Sequence, residues 1–157
     1  MRWLLDKTPA SGAIFLLRFH EMLLKMGRSG TIFIAAINGE TAGGGIELSM
    51  ACDLRYMSSE GDLSQIEVLF GFPPGAGGTQ RLTRLIGRAQ ALEMILTGRA
   101  IPAEEAQRIG LVTQVFPHQQ LLDKTLAIAE KLSRFSPEAI SAIKRVTLEG
   151  GSLPLTK

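Results

Sequence analysis

Apolar and polar positions follow two periods along this chain, and glycine and proline mark the changes between them. From Ala13 to Met26, the apolar Ile14, Leu17, Met22 and Leu24 are interleaved with Arg18, His20, Glu21 and Lys25. This is the pattern of an amphipathic helix, ended by Gly27. The preceding Asp6-Lys7-Thr8-Pro9-Ala10-Ser11-Gly12 reads as a turn or helix start. Residues of about 31–37 form an Ile-rich apolar run of strand length, stopped by the turn signal Asn38-Gly39. Gly43-Gly44-Gly45 follows, and then a helix over about 44–51. Asp53 to Ser58 alternates enough for a second strand. Asp62 to Ser64 is a short strand that delivers Gln65-Ile66-Glu67.

Val68-Leu69-Phe70 then leads into Gly71-Phe72-Pro73-Pro74-Gly75-Ala76-Gly77-Gly78, a shaped loop rather than an element interior. The remainder is mostly helical. Thr79–Ile86 ends at Gly87, Arg88–Leu96 at Gly98, and Pro102–Ile109 has Pro at its start and Gly110 at its end. Val112–Phe116 reads as a strand and Gln119–Leu132 as a long amphipathic helix. A last helix has Ser136 as cap and Pro137 in first position, runs to about Leu148, and is stopped by Gly150-Gly151. The pattern shows no sequence repeat and no low-complexity linker.

Composition narrows the function classes. A chain of 157 residues suggests one domain with room for a real core. The net charge of +2, with acids and bases interspersed, gives no basic patch for nucleic acid. No run reaches the roughly 18 apolar residues of a membrane span, and Asp6 interrupts Trp3-Leu4-Leu5 too soon for a signal peptide. The single Cys52 fits a reducing compartment and reads as a small buried apolar residue.

The candidate chemistry lies at the two glycine-rich turns. Three consecutive glycines are costly inside a helix or strand. Their use at a helix start is to bring unpaired N–H groups close to an anion, or to an oxygen that becomes anionic. Glu47, three residues past Gly44, sits one helical turn from that end. Glu67 lies beside the second turn. Paired carboxylates in different environments suit proton transfer in two directions; the plainer alternative is two solvated acids at element ends. The loop of residues 71–78 lacks the Lys-Ser/Thr of a phosphate-binding loop and the acid of a dinucleotide fingerprint. One Cys and two distant His give no metal set. No Gly-x-Ser-x-Gly elbow is present. His20 has no Asp, Cys or Ser partner at useful spacing and reads as a helix-surface residue.

Three motifs occur in one order. Asn38-Gly39 runs through Gly43-Gly44-Gly45 and Glu47 to Cys52-Asp53. Gln65-Ile66-Glu67 runs through Gly75-Ala76-Gly77-Gly78-Thr79-Gln80-Arg81-Leu82. Leu96-Thr97-Gly98-Arg99 continues through Glu104-Glu105-Ala106 to Gly110-Leu111-Val112. From about Thr31 to Leu148 the chain resembles the crotonase (enoyl-CoA hydratase/isomerase) superfamily. The resemblance implies an α/β fold with a ClpP-like spiral of β-β-α turns, two roughly perpendicular sheets, and flanking C-terminal helices. It implies an acyl-CoA ligand whose thioester oxygen meets the Gly44 N–H. Glu47 and Glu67 match the two catalytic acids of hydratases. Gly43 and Gly75 match positions that place substrate and water. No metal or separate cofactor is implied, since coenzyme A is part of the substrate. Neither a nucleic-acid nor a membrane partner is expected. The full-length parent is expected as a homotrimer or homohexamer in the cytoplasm, or in the mitochondrial matrix if eukaryotic. Another acyl-CoA reaction (isomerisation or hydrolysis) and a non-catalytic CoA-binding or assembly subunit are the alternatives.

Two departures stand out. Family chains are longer and carry an earlier Ala-Gly-Ala-Asp-like segment with the second oxyanion donor, which has no match upstream of Thr31. The expectation is therefore a truncated domain over 1–157, with the spiral core and active-site motifs at about 31–111 and a mainly helical part at about 112–157. Ile66 also stands where hydratases commonly have Pro, which frees Gln65 from the usual backbone restriction.

Overall fold

The computed structural model describes residues 9–150. Lys7 and its neighbours at positions 6–8 of the predicted turn, and Gly151 of the predicted stop, lie outside them. Helix α1 spans Pro9–Arg28, so it begins earlier than the pattern suggested and runs through Gly27. Proline is tolerated in a first helical turn, where its missing N–H has no intrahelical use. Packing of Phe19, Leu23 and Met26 against Ala51 and Ala76 holds the final turns in spite of the glycine, and the Ser29 N–H extends the last turn to the Lys25 carbonyl at 2.9 Å.

Two β-β-α units follow. The first is β1 (Ile34–Ile37), β2 (Thr41–Ala42) and α2 (Gly44–Ala51). The second is β3 (Leu54–Ser58), β4 (Asp62–Ser64), a 3-10 turn at Glu67–Phe70, and α3 (Gly78–Ile86). They stack in parallel register. β1 pairs with β3, Ile34 opposite Leu54, and β2 pairs with β4, Thr41 opposite Leu63. Helix α4 (Arg88–Thr97) leads to β5 (Ala100–Pro102) and α5 (Ala103–Arg108). Strand β6 (Gln114–Phe116), a 3-10 turn at His118–Gln120, α6 (Leu121–Ser133) and α7 (Pro137–Gly150) complete the order. The sheets run β1-β3-β6, all parallel, and β2-β4-β5, with β5 antiparallel to β4.

Several boundaries differ from the pattern for local reasons. The apolar run yields a strand only from Ile34, because Asp53 competes for the backbone before it. Its carboxylate accepts the Phe33 N–H at 2.8 Å, and the Phe33 carbonyl accepts the Asp53 and Leu54 N–H groups. Strands β2 and β5 are too short to show a period. Residues 118–120 tighten into a 3-10 turn, so α6 begins at Leu121. Ser136 caps α7 as expected, its Oγ accepting the Ala139 N–H at 3.2 Å.

The main core lies among the sheets and α2–α5, with Ile46, Met57, Leu82, Ile101 and Leu111 fully enclosed. One buried cation ties α7 to this body. Lys144 Nζ donates to Asp53 Oδ2 at 2.8 Å and to the carbonyls of Thr31 and Met26 at 2.8 and 2.9 Å. Cys52 is half-buried rather than buried. Its thiol donates to the Leu48 carbonyl at 3.6 Å, and burial raises its pKa above the ordinary thiol value.

Candidate active site

The two glycine turns meet at the ends of paired strands. Gly43 follows β2, Gln65 follows β4, and the Gly43 N–H donates to the Ser64 carbonyl at 3.1 Å. Gly43 has φ of 54°, a left-handed backbone that a side chain would strain. A Cβ there would also stand 3.2 Å from Glu67 Oε1. The turn therefore puts the backbone just before α2 directly against one acid. Gly44 is the first residue of α2, where a helix has no internal acceptor for its N–H. The ring of Phe19, from α1, covers its Cα, with Cε1 3.5 Å from where a Cβ would be.

Both acids are enclosed. Glu47 is 2% exposed and Glu67 6%, so neither is a solvated acid at an element end. Glu47 Oε1 accepts the N–H groups of Ala76 and Gly78, each at 2.8 Å. The second glycine loop thus wraps the first acid. Burial raises the Glu47 pKa above its ordinary 4.5; the Glu67 charge pushes the same way, while the two N–H donors and Arg81 oppose it. Burial is the larger effect, and it moves this carboxyl toward the range in which it can exchange protons near neutrality. Glu67 Oε2 accepts from Gln65 Nε2 at 2.9 Å.

The loop is held from behind. Arg81, on α3, donates to the Ala76 carbonyl at 2.6 Å. Leu16 lies against Gly75, with Cδ2 3.3 Å from its would-be Cβ. His20 is not a plain surface residue. It is half-buried, its Cε1 stands 3.6 Å from the would-be Cβ of Gly77, and its enclosed Nδ1 has no hydrogen-bond partner among the described residues. Leu16, His20, Gly75, Gly77 and Arg81 line a cleft of about 860 Å³. Neither Glu47 nor Glu67 lines it, so this cleft is not where the acids act. The described residues contain no group of three or more His, Cys, Asp or Glu side chains able to hold a metal ion.

The sequence matches the enoyl-CoA hydratase/isomerase family model over residues 4–156. The chain belongs to that family. Its fold is that of the crotonase superfamily, and it lies close to the enoyl-CoA hydratases. It is 43% identical over 126 residues to the mitochondrial enoyl-CoA hydratase of Pongo abelii, an alignment of 76% of this chain and 43% of that protein. The crystal structure of an enoyl-CoA hydratase from Bacillus anthracis superposes with a TM-score of 0.92 at 38% identity, over 96% of this chain and 58% of that one. A Thermobifida fusca relative, solved in complex with CoA, gives 0.88 at 31% identity over 96% and 59%. The chain thus spans about half the length of these relatives.

Within this family member, sequence reasoning singled out Gly43, Gly44, Glu47, Glu67 and Gly75. It gave no role to Gln65, Gly78, Phe19 or Leu16. Gln65 and Gly78 carried a weak signal, as neighbours of the named acid and loop. Phe19 and Leu16 carried none, because their contacts cross from α1 to turns far along the chain.

Proposed function

We propose that the intact protein is an enoyl-CoA hydratase, adding water across the 2,3 double bond of a 2-enoyl-CoA. The observation that carries this reading is the enclosure of two carboxyls at two joined glycine turns, beside an N–H at a helix start. Gly44 would receive the thioester oxygen as it gains enolate character. Oxyanion donors of this kind contribute on the order of 3–4 kcal/mol. Glu47 takes a proton from water as its oxygen bonds to C3, and Glu67 gives a proton to C2. Gly43 brings the backbone against Glu67, and Gly75 belongs to the loop that encloses the water. No separate cofactor enters. The CoA found in the Thermobifida fusca structure supports an acyl-CoA ligand here.

The same reading divides the chain into a partial crotonase domain, with a spiral core over about 31–111 and a mainly helical part after it. It extends to a homotrimer or homohexamer, for which the exposed Leu69, Phe70, Phe72 and Leu96 offer apolar surface. No helix among the described residues is long and apolar enough to cross a membrane. The proposed setting is the cytoplasm, or the mitochondrial matrix in a eukaryote.

The test is loss of crotonyl-CoA absorbance by the full-length protein, with Glu47→Gln and Glu67→Gln alongside. Both substitutions should remove most turnover. Unchanged turnover in either would end that residue's role. CoA binding without turnover would favour an assembly subunit, and a product other than 3-hydroxyacyl-CoA another crotonase reaction.

A further inference from the structure

Gln65 is fully enclosed, yet only one end of its amide is used. Its Nε2 donates to Glu67 Oε2 at 2.9 Å, while its Oε1 has no donor among the described residues. An enclosed acceptor without a donor is costly, and such atoms in a folded protein call for an explanation. The surroundings narrow it. Gln65 Oε1 lies 3.1 Å from where a Cβ of Gly78 would be, and Glu47 Oε1 lies 2.9 Å from the same point. The acceptor end therefore faces the space beside Glu47, and the donor end faces Glu67. The nearby backbone donors are spent, because Ala76 and Gly78 both give their N–H groups to Glu47. A donor for Gln65 Oε1 has to come from a molecule in the site, and a water there has Glu47 as its second partner.

We infer that Gln65 is the positioning residue for water addition, with one end of its amide on the reacting water and the other on Glu67. This rests on the hydratase reading. One hydrogen of the water goes to Glu47 as the oxygen bonds to C3. The other stays on that oxygen, held by Gln65 Oε1, and becomes the product hydroxyl hydrogen. Nε2 keeps Glu67 Oε2 as an acceptor. The proton delivered to C2 is therefore carried on Oε1, the oxygen that faces Gly43. An amide suits this task because it presents a fixed donor and a fixed acceptor and does not titrate.

Two substitutions in the full-length protein test the assignment. Gln65→Met keeps the volume and removes both polar ends. It should lower kcat by about tenfold to a hundredfold with KM changed less than about threefold, because the lost contacts orient the water and not the thioester. Gln65→Glu restores a donor and an acceptor only when its carboxyl is protonated. Its kcat, relative to the unsubstituted protein at each pH, should recover as pH falls. The charged groups around it are Glu67 beside it, Glu47 on α2, and Arg81 on α3 behind the loop. The Gln65→Met deficit should not recover with pH. Turnover of Gln65→Met within threefold of the unsubstituted protein would overturn the inference. So would a Gln65→Glu deficit that is the same at every pH, the mark of a purely structural role. If Gln65→Met does not fold, the pH behaviour of Gln65→Glu decides alone. Both results presuppose an active parent. A parent that hydrates no enoyl-CoA ends the hydratase reading and this role together, whereas an active parent with an indifferent Gln65 ends only this role.

Discussion

One methyl group on Gly78 should disable the site while leaving the fold nearly intact. Gly78 opens α3, and its backbone is not left-handed, so alanine suits its conformation and gains about 1 kcal/mol of helix propensity. The space does not suit it. The added Cβ would lie 2.8 Å from Pro74 Cβ, 2.9 Å from Glu47 Oε1 and 3.1 Å from Gln65 Oε1. Relaxed contacts of this kind need roughly 3.5 Å, so the carboxylate or the loop has to retreat by several tenths of an ångström. Both hydrogen bonds on Glu47 Oε1 are 2.8 Å long, and both come from that loop. Either retreat strains them together. A hydrogen bond to a charged group contributes about 1.5–3 kcal/mol, so losing one corresponds to about a tenfold to hundredfold loss of turnover. Overpacking costs about 1–3 kcal/mol, which the helix gain partly offsets. The measurements are kcat for crotonyl-CoA hydration and the urea midpoint of Gly78→Ala in the full-length protein. Turnover within threefold of the parent would refute the claim that this glycine is kept small by Glu47.

Two further outcomes concern stability. Lys144→Met removes a buried cation that joins Asp53 to the Met26 and Thr31 carbonyls. It should cost about 3–5 kcal/mol in urea unfolding, and a loss below about 1 kcal/mol would show that α7 is held by its apolar contacts instead. Burial holds the Glu47 pKa above its ordinary 4.5, so the folded chain keeps this proton where the unfolded chain has released it. The associated stability is whole below about pH 4.5 and is lost as pH rises through the folded value. The stability of the parent relative to Glu47→Gln should therefore decline as pH rises from about 4, then level off. A difference that stays flat from about pH 4 to 8 would contradict the burial effect.

The sequence made some features legible because their cause is local. Gly87, Gly98 and Gly110 end helices with φ of 81°, 63° and 81°, a conformation that glycine adopts readily. Ser136 was readable as a cap because its partner is three residues away. Glu47 and Glu67 drew notice through the adjacent glycines, and the family motifs gave them roles. What stayed hidden depends on contacts between distant segments. The Phe19 ring reaches Gly44, and Leu16 reaches Gly75, from a helix whose period announces only one apolar face. His20 looked peripheral because nothing near it in sequence reveals Gly77 against its ring. Asp53 took backbone partners from the predicted strand, and its own partner Lys144 lies in the last helix. Gly78 read as a loop residue, and the reason it has no side chain is an acid thirty-one positions earlier.

The ladder between β2 and β4 continues one step beyond the strands, through the Gly43 N–H to the Ser64 carbonyl. The corner bearing Gly44 and the corner bearing Gln65 and Glu67 are therefore registered by main-chain hydrogen bonds, which every residue type other than proline can make. Frame and reagent are separate inheritances. Mutation can exchange an acid at either corner without disturbing the spacing between the corners, because no side chain sets it. A lineage built on this frame can lose or trade its chemistry one residue at a time and still fold, whereas a one-residue slip of β4 against β2 would displace the entire second corner.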